Sequence, residues 1–242
     1  MTILILGGTS QARELAQILH LQGADFITSL AGVTRSPGPL PGAVRSGGFG
    51  GEAAFRAYLG ENGIRAIVDA THPFAARITE RSHRVARAMG LAYCQILRPQ
   101  WQPGAGDNWV MLTDEAQAAD HVKAGQVVFL ATGRQTLSRY ANLSHARLIC
   151  RQIDPPDGPF PFANGRFLVG RPPFSVAQEK NLFLELGVDW LVVKNAGGAA
   201  SATKLSAARE LGVPVLMIQR PRMPECPRVT TAQAAADWLH TL

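Results

Sequence analysis

Short aliphatic runs recur along the chain, each followed by a stretch of helical spacing, and this alternation restricts the fold more than any other feature. TILIL (2–6), FITSL (26–30), IRAIVDA (64–70) and LAYCQIL (91–97) read as strands, with helices over about 10–22 and 74–89. After an interruption the pattern resumes with QVVFLATG (126–133), ARLICRQI (146–153), RFLVG (166–170), DWLVVKN (189–195) and VPVLMI (213–218). Helical segments fall near 114–122, 175–187, 201–211 and 230–241. Such alternation predicts α/β architecture with mainly parallel sheets covered on both faces. The interruption RPQWQPGAGDNW (98–109) is rich in Pro and Gly and marks a domain boundary. Two α/β domains, 1–98 and 99–242, with a cleft between them, are therefore expected.

Two connections are long for a compact domain: RSPGPLPGAVRSGGFGG (35–51) and DPPDGPFPFANG (154–165). Both read as binding loops. A hydrophobic content of 46% with 17% charged residues excludes a disordered chain. No apolar run approaches the length of a membrane span, and the chain enters a strand at once without a secretion signal. Cys94, Cys150 and Cys226 are too far apart for a disulfide framework or a zinc knuckle. A reducing cytoplasmic location and no metal site follow as expectations.

The stretch ILILGGTSQAREL (3–15) runs a strand through a glycine turn into a helix. A dinucleotide turn needs glycines for the bend and for backbone approach to the pyrophosphate, which the helix N-terminus then binds. Aligned to G-x-G-x-x-[GA], the chain offers Gly7, then Thr9 at the second glycine, then Ala12. Thr9 and Ser10 can donate hydroxyls to phosphate or cap the helix, so a plain capped turn is the alternative. A carboxylate for a ribose 2′-hydroxyl is missing from the end of the second strand, where Thr34 and Arg35 stand instead. If a dinucleotide binds, that predicts NADPH over NADH, because Arg pairs a 2′-phosphate that an acid would repel. Arg45 and Ser46 are further candidates for the same phosphate. DATHPFA (69–75) ends the third of these strands and brings Thr71 and His72 to the carboxyl edge, where open α/β sheets bind ligands. A lone His in such a place is more often structural than catalytic.

The net charge is +6, from 24 basic and 18 acidic side chains. In the second half basic residues follow successive strands: Arg134, Arg151, Arg171, Lys194, Arg220 and Arg222. Parallel strands would bring these cations to one edge, which suits a small polyanion; solvated loop cations are the alternative reading. No helix-turn-helix, RRM or zinc finger pattern supports nucleic acid. Lys194 could serve as an acid or an electrostatic anchor. NAGG (195–198) is shared with short-chain dehydrogenases, but their Tyr-x-x-x-Lys pair is missing, since Tyr140 is followed by Ser144. An S-adenosylmethionine methyltransferase is disfavoured by Arg35, and a nucleotide-sensing module without turnover remains open.

ILILGGTSQAREL, DATHPFA, LATGRQ, GRPPFS and LVVKNAGGAASATKL, in this order, resemble the precorrin-6A reductase (cobalt-precorrin-6A reductase) family of cobalamin biosynthesis over essentially the whole chain. One departure is Gln11, where the family commonly has Glu. The resemblance implies two Rossmann-like domains and NADPH-dependent reduction of precorrin-6A to precorrin-6B, with hydride to C19 and a proton to C18. It implies a polycarboxylate tetrapyrrole as substrate, in agreement with the basic strand ends. By position, Gly7, Gly8, Thr9, Ser10 and Arg13 would form the pyrophosphate turn, with Thr34 and Arg35 at the 2′-phosphate and Gly48 in the glycine loop. Thr71 and His72 would lie toward the nicotinamide. Arg134, Arg171, Lys194, Asn195, Ser201 and Lys204 would meet substrate carboxylates or the far side of the cofactor. His72, Lys194 and a bound water are all open as the proton source, and the choice between cobalt-free and cobalt-containing substrate is also open.

Overall fold

The computed structural model of the chain describes residues 1–32 and 38–242. It divides into two compact units, Met1–Pro99 with Pro221–Leu242, and Gln100–Arg220.

The first unit begins β1 (Thr2–Leu6), α1 (Ser10–Leu21), β2 (Phe26–Leu30), β3 (Ala43–Ser46), α2 (Glu52–Glu61), β4 (Ile64–Asp69), α3 (Ala76–Ala88) and β5 (Ala92–Ile96). Alternation along β1 sends side chains to both faces of the sheet. Ile3 and Ile5 join a core with Leu15, Leu19 and Phe26. Leu4 and Leu6 join another with Phe55, Leu59, Val85 and Tyr93. In α1 the buried residues Ala12, Leu15, Ala16 and Leu19 recur at helical spacing and form its inner stripe. β1 lies between β2 and β4, with Leu6 opposite Ser29 on one side and Asp69 on the other. β3 lies inside the stretch expected to be a loop. Its Ala43 and Val44 are exposed on an edge strand, so no apolar alternation announced it.

The second unit contains β6 (Trp109–Leu112), β7 (Val127–Leu130), β8 (Arg147–Gln152), β9 (Gly165–Val169), α4 (Val176–Leu186), β10 (Trp190–Lys194), α5 (Thr203–Leu211) and β11 (Val215–Ile218). The segment expected as a helix near 114–122 is a short 3-10 turn, Glu115–Asp120. Phe129, Phe183, Leu191, Leu205 and Met217 lie in the core of this unit.

The chain then returns to the first unit through β12 (Arg228–Val229), which pairs with β5, and α6 (Ala232–Leu239). The expected boundary of 99–242 for the second domain is corrected accordingly. Ala232, Ala235, Ala236 and Leu239 of α6 complete the same core as Leu15 and Leu19 of α1, a long-range fit that local pattern does not reveal. The sheet orders are β12-β5-β4-β1-β2-β3 and β6-β11-β10-β7-β8-β9, and every strand pair is parallel. Among the described residues no helix is long and apolar enough to cross a membrane.

Candidate functional site

In the first sheet the order reverses between β1 and β4, the place where open α/β folds form a crevice. The backbone N–H of Gly7 donates to Ser29 O at 2.8 Å. A Cβ on Gly7 would stand 3.2 Å from Leu30 Cδ2 and Thr28 Cγ2, so this glycine lets the turn lie against β2. Gly8 supplies the bend, with φ +119°, and no atom lies within 4 Å of where its Cβ would be. Backbone is thus bare to an approaching group at Gly8, one position before the residue aligned with the second fingerprint glycine.

Thr9 is the N-cap of α1; its Oγ1 accepts from Ala12 N at 3.2 Å and donates to Ala70 O at 2.7 Å. The expectation that this hydroxyl donates to phosphate is corrected, because its proton already ties the β1 turn to the β4 turn. What the turn offers an anion is the first backbone amides of α1, with no acidic residue in the first helical turn. Ser10 is exposed and donates to Gln11 Oε1 at 3.2 Å, an oxygen that also accepts from Arg98 Nη1 at 2.9 Å. Arg13 donates to Gly38 O and Pro39 O, at 3.3 and 2.6 Å, and holds that backbone beside the helix.

At the end of β4, Asp69 is fully buried. It accepts from Thr71 N (3.0 Å), Thr71 Oγ1 (2.6 Å), Thr79 Oγ1 (2.6 Å) and Tyr93 OH (2.8 Å). Burial, with Asp69 beside it, pushes the Tyr93 phenol far above its usual range. This network sets the 71–75 turn, so the Thr71 hydroxyl proton is committed to Asp69. His72 is exposed, and its Nδ1 accepts from Phe74 N at 3.2 Å, which places the proton of a neutral ring on Nε2.

Thr34 and Arg35 lie outside the described residues. Arg45, at the end of β3, donates to Ser29 Oγ (2.7 Å), Gly47 O (3.0 Å) and Gly48 O (3.1 Å). Its guanidinium stacks 3.8 Å from the Phe49 ring centre, which makes it a fixed cation beside the end of β2. Gly48 is exposed in this loop.

The basic strand ends of the second unit are largely neutralised by acids that sequence proximity did not reveal. Arg134 pairs with Asp157 at 3.1 Å and Arg171 with Asp154 at 3.0 Å, both at the surface. Arg151 grips Glu179 bidentately at 2.7 and 2.8 Å, with Glu179 only 1% exposed. Arg220 donates to the backbone oxygens of Asn195 and Ala196, at 2.7 and 2.9 Å. Asn195, expected at the substrate, is 1% exposed. Its Oδ1 accepts from Trp101 N at 2.9 Å and its Nδ2 donates to Trp101 O at 3.1 Å. That amide serves the fold. The expected single field of converging cations is therefore mostly a set of local pairs.

Lys194 and Lys204 differ from these arginines, because both are half-buried. Burial lowers the Lys194 ammonium below its ordinary range, Arg139 adding to the effect and Glu115 opposing it. Burial pushes Lys204 down to about 8, with Arg151 acting in the same direction and Glu179 against it. Lys204 Nζ donates to the backbone oxygen of Ser201 at 2.6 Å.

Two parallel sheets of this order define a two-domain α/β protein with Rossmann-like units, the first carrying a glycine turn at its switch point. The chain belongs to the precorrin-6x reductase CbiJ/CobK family, whose model matches residues 2–240. It is 42% identical to a precorrin-6A reductase of Rhodococcus erythropolis, over 99% of this chain and 98% of that one. It is 38% identical to a precorrin-6A reductase of Rhodobacter capsulatus, over 98% of this chain and 95% of that one. A solved structure titled CobK precorrin-6A reductase superposes with a TM-score of 0.94 at 38% identity, covering 100% of this chain and 96% of that one.

Proposed function

We propose that the chain reduces precorrin-6A to precorrin-6B with NADPH, hydride going to C19 and a proton to C18. The observation that carries this reading is the family match along the whole chain, at 42% identity to one precorrin-6A reductase. NADPH, when bound, supplies the reducing equivalent; the protein's own task is to bind, orient and exclude water.

The first unit fits the cofactor. The open backbone at Gly8 and the leading amides of α1, from Ser10 on, suit a pyrophosphate. Gly7 supports the turn from below, and Arg13 holds its flank through Gly38 and Pro39. Arg45 supplies a fixed positive charge at the end of β2 and β3, with Gly48 at its edge, and joins Thr34 and Arg35 in the assignment of the 2′-phosphate. Thr71, set by Asp69, and the exposed His72 border the same edge and flank the nicotinamide. In the second unit Lys204 and Ser201 meet substrate carboxylates, with Arg134 and Arg171 as outer, partly neutralised contacts. His72 or Lys194 delivers the proton.

Addition of precorrin-6A to protein and NADPH, followed by loss of the reduced-nicotinamide absorbance, tests the reading. Stoichiometric oxidation is expected, and none with authentic substrate would overturn it. Arg35→Ala is expected to weaken NADPH much more than NADH; an unchanged ratio would remove the 2′-phosphate from this position.

A further inference from the structure

At the carboxyl ends of β7, β8 and β9 the second unit holds a cavity of about 160 Å³. Ala131, Gln152 and Gly170 line it from the strand ends, Thr203 and Lys204 from the start of α5, and Phe174 from the loop before α4. Gln152 is 8% exposed, yet neither its Nε2 nor its Oε1 has a hydrogen-bond partner among the described residues. It shares a strand face with Leu148 and Cys150, where an apolar side chain would fill the position with nothing left unpaired. A buried amide with no partner is costly to folding and calls for a ligand or a water.

The surrounding charges favour an anion. Lys204 spends one N–H on Ser201 O and retains two. The carboxylate facing it, Glu179, is neutralised by the bidentate grip of Arg151, which also faces Lys204. The first helical turn of α5 carries no acid, and its N-cap, Ala202, offers no side-chain acceptor to the leading amides. The volume is several times the roughly 30 Å³ of one water and well below the ~300–1,000 Å³ of a drug-sized ligand site. It suits a carboxymethyl or carboxyethyl arm and excludes a base, a nicotinamide or a macrocycle.

We propose that this cavity receives one carboxylate arm of the substrate, held between the Gln152 side-chain N–H and the Lys204 ammonium. The assignment rests on the polycarboxylate reading above and adds to it a residue, Gln152, and a place. Gln152 is a binding residue in this account, and its unpaired amide is retained for the ligand.

Gln152→Met in the full-length protein tests it, because the shape is nearly kept while both polar atoms are lost. The KM for precorrin-6A is expected to rise about tenfold, with the KM for NADPH unchanged and thermal stability equal or higher. An active, folded variant with unchanged precorrin-6A KM overturns the proposal, as does a rise confined to NADPH. A lowered melting temperature with unchanged KM shows the cavity to be wet and structural, and also overturns it. Should Gln152→Met not fold, Gln152→Glu keeps the volume and offers Lys204 an internal partner, so the KM for precorrin-6A rises by more than tenfold if the proposal holds and is unchanged if it fails. Wild-type protein that oxidises no NADPH with precorrin-6A overturns the reductase reading itself. Normal wild-type turnover with an insensitive Gln152 overturns the cavity assignment alone.

Discussion

The two units share a strand order around their switch points, β3-β2-β1-β4-β5 in one and β9-β8-β7-β10-β11 in the other, and differ in what leaves the first central strand. Both exits turn on a glycine in the left-handed region, Gly8 at φ +119° and Gly133 at φ +74°. From Gly8 the chain enters a 12-residue α-helix capped by Thr9. From Gly133 it enters a seven-residue 3-10 segment with no side-chain cap. A long α-helix end gathers aligned amides and suits phosphate; a short 3-10 segment does not. The second unit meets anions with half-buried lysines at the ends of β10 and the start of α5. One architecture thus carries two kinds of anion recognition, and the difference lies in the turn chemistry and in which charges are left unneutralised.

Gly8→Ala gives the largest effect if that contrast is right. A side chain at this φ costs about 1–3 kcal/mol, and its Cβ would project into the open space assigned to phosphate. NADPH affinity is expected to fall by about tenfold to a hundredfold, measured by titration. Gly133→Ala carries comparable strain and should lower the melting temperature while leaving NADPH affinity alone. Equal loss from both would break the comparison.

Asn195→Ala removes two buried hydrogen bonds and leaves the Trp101 N–H and C=O unpaired, which costs about 2–3 kcal/mol. Urea unfolding should show this loss with both KM values near wild type. A raised precorrin-6A KM at full stability would return Asn195 to the substrate.

Lys204→Met should raise the precorrin-6A KM about tenfold and spare NADPH. The same residue predicts a pH dependence. Its ammonium titrates at about 8 in the folded protein, below the ordinary 10.5, so it is charged below that pH and loses charge above it. Precorrin-6A binding should therefore weaken as pH rises through about 8. Lys204→Arg, which stays charged, should flatten the profile. Folding stability moves the opposite way, because between about 8 and 10.5 the unfolded chain binds more protons at this residue than the folded one. Arg134→Ala should have the smallest effect, under about 0.5 kcal/mol on unfolding, since the Arg134–Asp157 pair is exposed on both sides.

Legibility in the sequence followed the range of the forces involved. β1, β2, β4 and the strands of the second sheet were readable because each is a continuous apolar run between turn residues. β3 was not, because an exposed edge strand of Ala43 and Val44 lacks a buried face. The return of α6 to the first unit depends on a fit to α1 more than 200 residues earlier in the chain, which no window can contain. At the site, Gly7 and Gly8 were visible as residues, but their division of labour, packing at one and bend at the other, needed coordinates. The neutralisation of Arg151 was hidden because Glu179 sits 28 positions away on a helix. Gln152 had one usable signal: it falls on the buried register of β8, in line with Leu148 and Cys150, where a polar residue is out of place.

Parallel determination of the two Michaelis constants in Gly8→Ala and Gln152→Met tests the division of labour most directly. The account predicts that Gly8→Ala raises only the constant for NADPH and Gln152→Met only that for precorrin-6A. Crossed effects, or a shared effect on both constants in either variant, would contradict it.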